Sequence, residues 1–539
     1  MSDPLAAGAV ATPHRDATAA AHQAFADGGN AIDAALAAAA MLTVVYPNQC
    51  SIGGDAIAMV GTPDGHVEVV NGSGRSAMSL DPADYVGPDG FVPVSGAKSV
   101  TVPGVLSAWE SLADRWGRRS LGDAIRPAAA AAAAGVAVAP GVHRDLVREQ
   151  ALLAQDDGAR HVFFPDGTLL GEGQTMHLPR LAETLTAIAE RGTTEFYRGP
   201  VGASVIGTLR RLGSDLTTDD LGEHLPSVEN PCSTTFAGAE YLSSGGNSQG
   251  TFFLQGLSAL DIVARRLGRI PDPVGQDASI VARILTRTAA DRDRLLGDPD
   301  DAAVPVAELL GDDAIEALAE FGLGERAPAA AAQSRTYARR SGDTVAIVTA
   351  DPEGNWVSLI QSAFHAFGSC VLDPETGILL HNRGASFSLE PASANQLGPG
   401  RRPPHTLMPV LVRHDGNLVG AHGTMGGRAQ PQVHTHLALN LALGMTPEAA
   451  TARPRWIVGQ MEAGAAAPDE ASTISMEHGV PAPAVFDLSE AGFHLKMLEP
   501  LDDSVGHLQV VRRDPADDSF LVGSDPRSDG LARAEQEPA

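Results

Sequence analysis

The stretch "SGDTVAIVTADPEGNWVSLIQS", residues 341–362, decides how the rest of the chain is read. From Thr344 the residues T-V-A-I-V-T-A are mostly β-branched or small, "DPEGN" supplies turn residues, and "WVSLIQS" alternates again. β-Branched side chains suit a pleated, half-buried surface, and Asp, Pro, Gly and Asn punctuate turns. A strand, a turn built by Asp351 and Asn355, and a second strand are therefore expected. The plain reading is a buried hairpin. A sharper question is why a threonine directly after Asp343 opens the first strand, and whether that peptide bond survives in the working protein.

Outward from the hairpin, composition narrows the classes. The chain has 539 residues, 43% of them hydrophobic, enough for a sizeable core. With 38 basic against 66 acidic residues the formal charge is −28, which repels phosphate backbones and anionic lipid. Neither a nucleic-acid partner nor a membrane partner is expected. Cys50, Cys232 and Cys370 are odd in number and lack metal-ligand spacing, so reduced, packed thiols are expected, with no metal and no cofactor. The N-terminus lacks a basic stretch followed by an apolar run, and "AIDAALAAAAMLTVV" carries Asp33 and is short for a membrane span. A cytoplasmic protein is expected.

Before the hairpin, "ATAAAHQAFADGGNAIDAALAAAAMLTVV" reads as two Ala-rich helices parted at Gly28-Gly29, with Asn30 capping the second. "AIAMVGTPDGHVEVVNG" alternates around a turn and predicts a hairpin. Residues 105–300 read as mainly helical, including "PAAAAAAAG" at 127–135 with its proline in the first turn. Residues 295–340, rich in Ala, Pro, Asp and Arg, suit an exposed, mobile segment. After the hairpin, "GILLHN", "MPVLVRHDGNLVGAHG" and "HLQVVRRDPADDSFLVGSDPR" read as strands, with "QVHTHLALNLALG" as a helix among them. Strands from both halves with helices around them predict a layered sheet sandwich flanked by helices.

Eight pieces in order carry a resemblance: "GGNAIDAALAAA", "IGGD" (52–55), "VPGV", "FYRGP", the opening hairpin, "RRPPHTLMP" (401–409), "GTMGG" (423–427) and "GSDPRSDG" (523–530). The chain resembles the gamma-glutamyltransferase family of N-terminal nucleophile hydrolases across nearly its whole length. The resemblance implies a four-layer αββα sandwich, a single domain made of two chains after self-cleavage between Asp343 and Thr344. Residues 1–343 would form the large chain, ending in a mobile part over about 325–343, and residues 344–539 the small catalytic chain. The two would stay associated, and a homo-oligomer is compatible with that reading.

The chemistry stands beside the family name. A threonine hydroxyl is a weak nucleophile and needs a base; a freed α-amino group on the same residue, with a pKa near 8, supplies one. The 17 histidines are then no evidence for a Ser-His-Asp triad. The resemblance places Ser362 where a second hydroxyl orients the nucleophile, and Gly426-Gly427 where backbone amides face a developing oxyanion. The plain alternatives are a strand serine and a turn.

Departures from the family concern the donor. Where the family holds the donor's α-ammonium with an Asp and an Asn, this chain has Ser386 and Phe364, and a serine pair becomes His405-Thr406. An expected arginine stands at Arg75, displaced by two positions with Ser73 in register. The implied function is an autoprocessing threonine hydrolase or acyltransferase. Its substrates would be a small-molecule acyl donor outside the ordinary γ-glutamyl group, and water or an amine as acceptor. Three alternatives stay open: an orthodox glutathione hydrolase, a carbon-carbon-cleaving enzyme of an alkylproline-type antibiotic pathway in secondary metabolism, and a non-catalytic binding module.

Overall fold

The computed structural model describes residues 8–324, 342–459 and 472–535. The opening hairpin forms at the centre of a seven-stranded antiparallel sheet. Its strands are β1 (Gly8–Thr12), β2 (Asp55–Gly61), β3 (Val67–Asn71), β4 (Ser227–Glu229), β7 (Gly342–Ala350), β8 (Trp356–His365) and β13 (Leu531–Glu535). The order is β13-β1-β7-β8-β2-β3-β4. A second antiparallel sheet of six contains β5 (Cys232–Phe236), β6 (Ala239–Ser243), β9 (Val410–His414), β10 (Asn417–Thr424), β11 (Leu508–Arg513) and β12 (Phe520–Ser524). Its order is β12-β11-β10-β9-β6-β5.

The period-two alternation of β7 explains the layers. Ala346, Val348 and Ala350 join Ile57, Met59, Trp356 and Ile360 against Leu411, Ala421 and Val511 of the second sheet, forming the inter-sheet core. Val345 and Ile347, on the opposite face, pack beneath helices. The chief of these, Ala31–Val45, is buried along all its 15 residues, and its small alanines let it lie between sheet and neighbours. Helices Gly250–Leu267 and Gln430–Ala442 cover the second sheet. The fold is thus an αββα sandwich, as the sequence implies.

Local readings hold at several points. Gly28 has φ 84° and ends the first helix, while Asn30 and Asp33 form a reciprocal cap on the second. The hairpin at 55–71 forms, and all three cysteines are free. Others are corrected. The helix around Pro127 runs Leu121–Ala134, because Ser120 and Asp123 cap it a turn and a half earlier, so the proline sits inside it. Residues 227–243 supply three strands inside a region read as helical. "GILLHN" makes only isolated bridges, Gly53 with Leu380 and Leu372 with Leu379. Residues 312–322 form a helix burying Ile315, Leu318 and Ala319, so that part of the supposed mobile segment is packed. Its continuation, 325–341, lies outside the described residues. Among the described residues no helix is long and apolar enough to cross a membrane.

Candidate active site

Thr344 lies on the inter-sheet face of β7, at the end where β7 and β8 lose register. Gln361 pairs with Val345 and Phe364 with Asp343, so Ser362 and Ala363 together oppose Thr344 in a bulge. The bulge brings two hydroxyls together: Thr344 Oγ1 donates to Ser362 Oγ at 3.1 Å. Ser362 Oγ donates in turn to the Asp343 carbonyl oxygen at 2.7 Å and accepts from Phe364 N at 2.7 Å. Asp343, Thr344 and Ser362 are all buried. On the other side of β8, Ser362 pairs with Asp55. The preceding Gly54 is obligatory, since a Cβ there would stand 2.4 Å from the Ser362 carbonyl oxygen.

Asp55 anchors a buried polar cluster. Its carboxylate takes a bidentate pair from Arg383 (Nε 2.9 Å, Nη2 3.2 Å), and His405 Nε2 and His381 Nδ1 lie 3.0 and 3.3 Å from it. Burial alone pushes the Asp55 carboxyl up, but Arg383 and His405 outweigh it and hold it well below the usual carboxylate range. Burial, reinforced by Arg383, lowers His405 to about 4, so its imidazole is neutral. Arg383 also donates to Thr406 Oγ1 at 2.9 Å and stacks over the Phe364 ring at 4.2 Å. Phe364 adopts φ 79°, a strained conformation for a bulky residue. Ser386 Oγ donates to the Arg383 carbonyl at 2.7 Å and the Pro404 carbonyl at 3.2 Å.

Gly426 (φ 139°) and Gly427 (φ 51°) form a turn that other residues would strain. Gln249 fixes it relative to the donor side, its Nε2 donating to the carbonyls of Gly427 (2.9 Å) and Thr406 (2.7 Å). Arg292 holds Gln249 Oε1 at 3.3 Å and the Arg428 carbonyl at 2.7 Å.

Of the residues singled out in the sequence, Asp343, Thr344, Ser362 and Phe364 thus share one strand end, and His405, Thr406 and Ser386 meet at Arg383. Gly426-Gly427 connects to Thr406 through Gln249. Arg75 stands apart from these contacts: its guanidinium pairs with Asp298 and Asp300 and donates to the Gly400 carbonyl. Sequence reading missed Asp55, His381, Arg383, Gln249 and Arg292. Only Asp55, closing "IGGD", and Arg383, preceding "GASF", carried any signal.

The family model described as gamma-glutamyltranspeptidase matches residues 17–534. The chain belongs to the gamma-glutamyltranspeptidase family. Similar curated relatives include the glutathione hydrolase-like YwrD proenzyme of Bacillus subtilis, 33% identical over 97% of each chain. The oxamate amidohydrolase proenzyme of Klebsiella pneumoniae is 31% identical over 97% of this chain and 98% of that one. Among solved structures, the cephalosporin acylase from Bacillus halodurans superposes with a TM-score of 0.88 at 30% identity, covering 99% of this chain and 97% of that one. As a gamma-glutamyltranspeptidase family member the chain is an enzyme, a hydrolase of the N-terminal nucleophile type.

Proposed function

We propose that this chain is a proenzyme that cuts itself before Thr344 and then hydrolyses or transfers the acyl group of a small-molecule amide other than an ordinary γ-glutamyl compound. The hydrogen-bonded path from Thr344 Oγ1 through Ser362 Oγ to the Asp343 carbonyl carries this reading. Ser362 polarises the carbonyl that Thr344 attacks. The Oγ1–C bond forms as the C–N bond breaks, the nitrogen takes the hydroxyl proton, and water hydrolyses the resulting ester. Thr344 is left with a free α-amino group, which serves as base in later turnovers. The amides of Gly426 and Gly427 take up the negative charge that develops on the acyl oxygen.

The donor side supports the second half of the reading. Ser386 spends its hydroxyl on two backbone carbonyls. Phe364 covers the Arg383 guanidinium with a ring. Neither supplies the anion that a buried α-ammonium requires, and losing such a partner costs several kcal/mol. Glutathione and γ-glutamyl-p-nitroanilide should therefore be poor donors.

Purified protein should yield chains of 343 and 196 residues, the second beginning at Thr344. Thr344→Ala should stay whole. Wild-type protein that remains intact on long incubation, with no threonine N-terminus by sequencing, defeats the proposal. Glutathione turnover equal to that of the best other acyl donor defeats its second half.

A further inference from the structure

We infer that the donor is a monoamide of a short dicarboxylic acid with the succinyl spacing, its distal carboxylate held by Arg148 and Gln49. The inference rests on Thr344 being the nucleophile. Self-cleavage and turnover then use the same oxygen on the same kind of carbonyl, so the acyl side of the donor takes the place that Asp343 occupies in the uncut chain. The protein's own scissile bond is in this sense its first substrate.

Asp343 carries a carboxylate two carbons from the carbonyl that Thr344 attacks. The residue is fully buried, and Arg148 Nη2 lies 3.4 Å from Oδ2 while Gln49 Nε2 lies 3.5 Å from Oδ1. Both distances are long for charge-assisted contacts, since the strand fixes the residue. A donor free of the chain can close them. The wall around the carboxylate is built in advance. Arg148 is anchored by buried Asp145 at 2.6 Å, and Asp145 accepts from Asn48 Nδ2 at 2.6 Å. The carbonyls of Gln49 and Asn48 accept from Ala363 and Phe367 amides at 2.9 and 2.8 Å, locking the 48–49 segment to the end of β8. Gln49 meets the carboxylate through Nε2, the donating end of its amide, while its buried Oε1, an acceptor with no partner among the described residues, takes no part in holding an anion.

In the turnover inferred, Oγ1 bonds to the amide carbon as the C–N bond breaks. The α-amino group takes the hydroxyl proton and passes it to the leaving amine. Water then cleaves the ester, releasing the diacid and restoring the hydroxyl.

Processed wild-type enzyme, confirmed by its threonine N-terminus, should be assayed on the succinyl, glutaryl and butyryl p-nitroanilides. Succinyl should exceed butyryl by about a hundredfold in kcat/KM, and glutaryl, whose carboxylate lies one methylene further, by about tenfold. Arg148→Ala should bring the succinyl-to-butyryl ratio near one, mainly through KM, and Arg148→Lys should keep part of the preference. Equal rates on succinyl and butyryl, or turnover of neither by protein that has cut itself, overturns the inference, as does an unchanged ratio in a folded Arg148 variant. A chain that never exposes Thr344 fails earlier, at the proposed nucleophile.

Discussion

Two buried ionic networks are each anchored by an aspartate of a sequence motif, Asp525 and Asp55, and they are built on different principles. One, at "GSDPRSDG", joins Arg527 to Glu477 (2.5 and 2.7 Å) and to Asp525 (2.9 Å), while Arg455 pairs with Asp525. Two guanidiniums face two carboxylates, and the spare lone pairs are taken by the amides of Arg455, Asp502 and Leu508. The other, at "IGGD", has one carboxylate and one guanidinium. Its remaining members are two imidazoles, a hydroxyl and the Phe364 face. The closed network is a clamp. The open one reaches toward the residues beside Thr344, where the proposed function puts the donor.

The harshest way to break this contrast is to remove one cation from each. Arg527→Met and Arg383→Met each strand a buried carboxylate and should lower stability by about 3–5 kcal/mol in urea denaturation. Only Arg383→Met should also slow cleavage at Thr344 in the folded fraction. Equal slowing in both variants would erase the distinction. The closed network does approach the glycine turn from behind, since Arg455 donates to the Gly506 carbonyl and Gly506 Cα lies 3.6 Å from where a Gly426 Cβ would stand. Gly427→Val should cost about a hundredfold in turnover through lost amide geometry, with circular dichroism confirming the fold. Full activity in that folded variant would make the pair a plain turn.

A gentler test uses protons. Burial lowers His405 in the open network and His507 beside the closed one to about 4 each. Because the folded values lie below the ordinary 6.5, the unfolded chain binds more protons between pH 6.5 and 4. Stability is then complete above about pH 6.5 and falls as the pH drops toward 4, by about 1.4 kcal/mol per pH unit for each such imidazole. Urea midpoints at pH 7.5 and 5 should show the decline, and His507→Gln should make it shallower without abolishing it, because burial also lowers His224, His422, His434 and His436. A flat profile would mean that these rings titrate alike in the folded and unfolded chain, and stability rising toward pH 5 would mean that the fold holds them charged.

The hairpin, the caps at Gly28 and Asn30 and the layered architecture were legible because local pattern decides them: alternation, turn residues and a reciprocal cap need only neighbours. The Thr344–Ser362 pair was legible only through family resemblance, since the bulge that joins them is invisible in a strand pattern. Asp55 and Arg383 are 328 residues apart, and no local rule announces that they meet. Pro127 was misplaced because a proline start outweighed a better cap at Ser120. Of the strands at 227–243, β4 and β5 are short sheet edges with exposed positions, which blurs their alternation.

The strand order has a consequence for how the molecule could come apart. β1 is hydrogen-bonded on one edge to β13 and on the other to β7, so a strand from before residue 343 is threaded between two from after it. In the second sheet β6 and β9 bridge the same divide. A cut before Thr344 would sever the chain without offering a surface along which the halves could part. Dissociation would require opening both sheets, and dilution alone would not achieve it. Once opened, the halves would have to find each other in solution, so recovery would become second order. A single broken bond would thereby turn a reversible folding equilibrium into one that depends on concentration, leaving the mature protein to persist by the slowness of its unfolding.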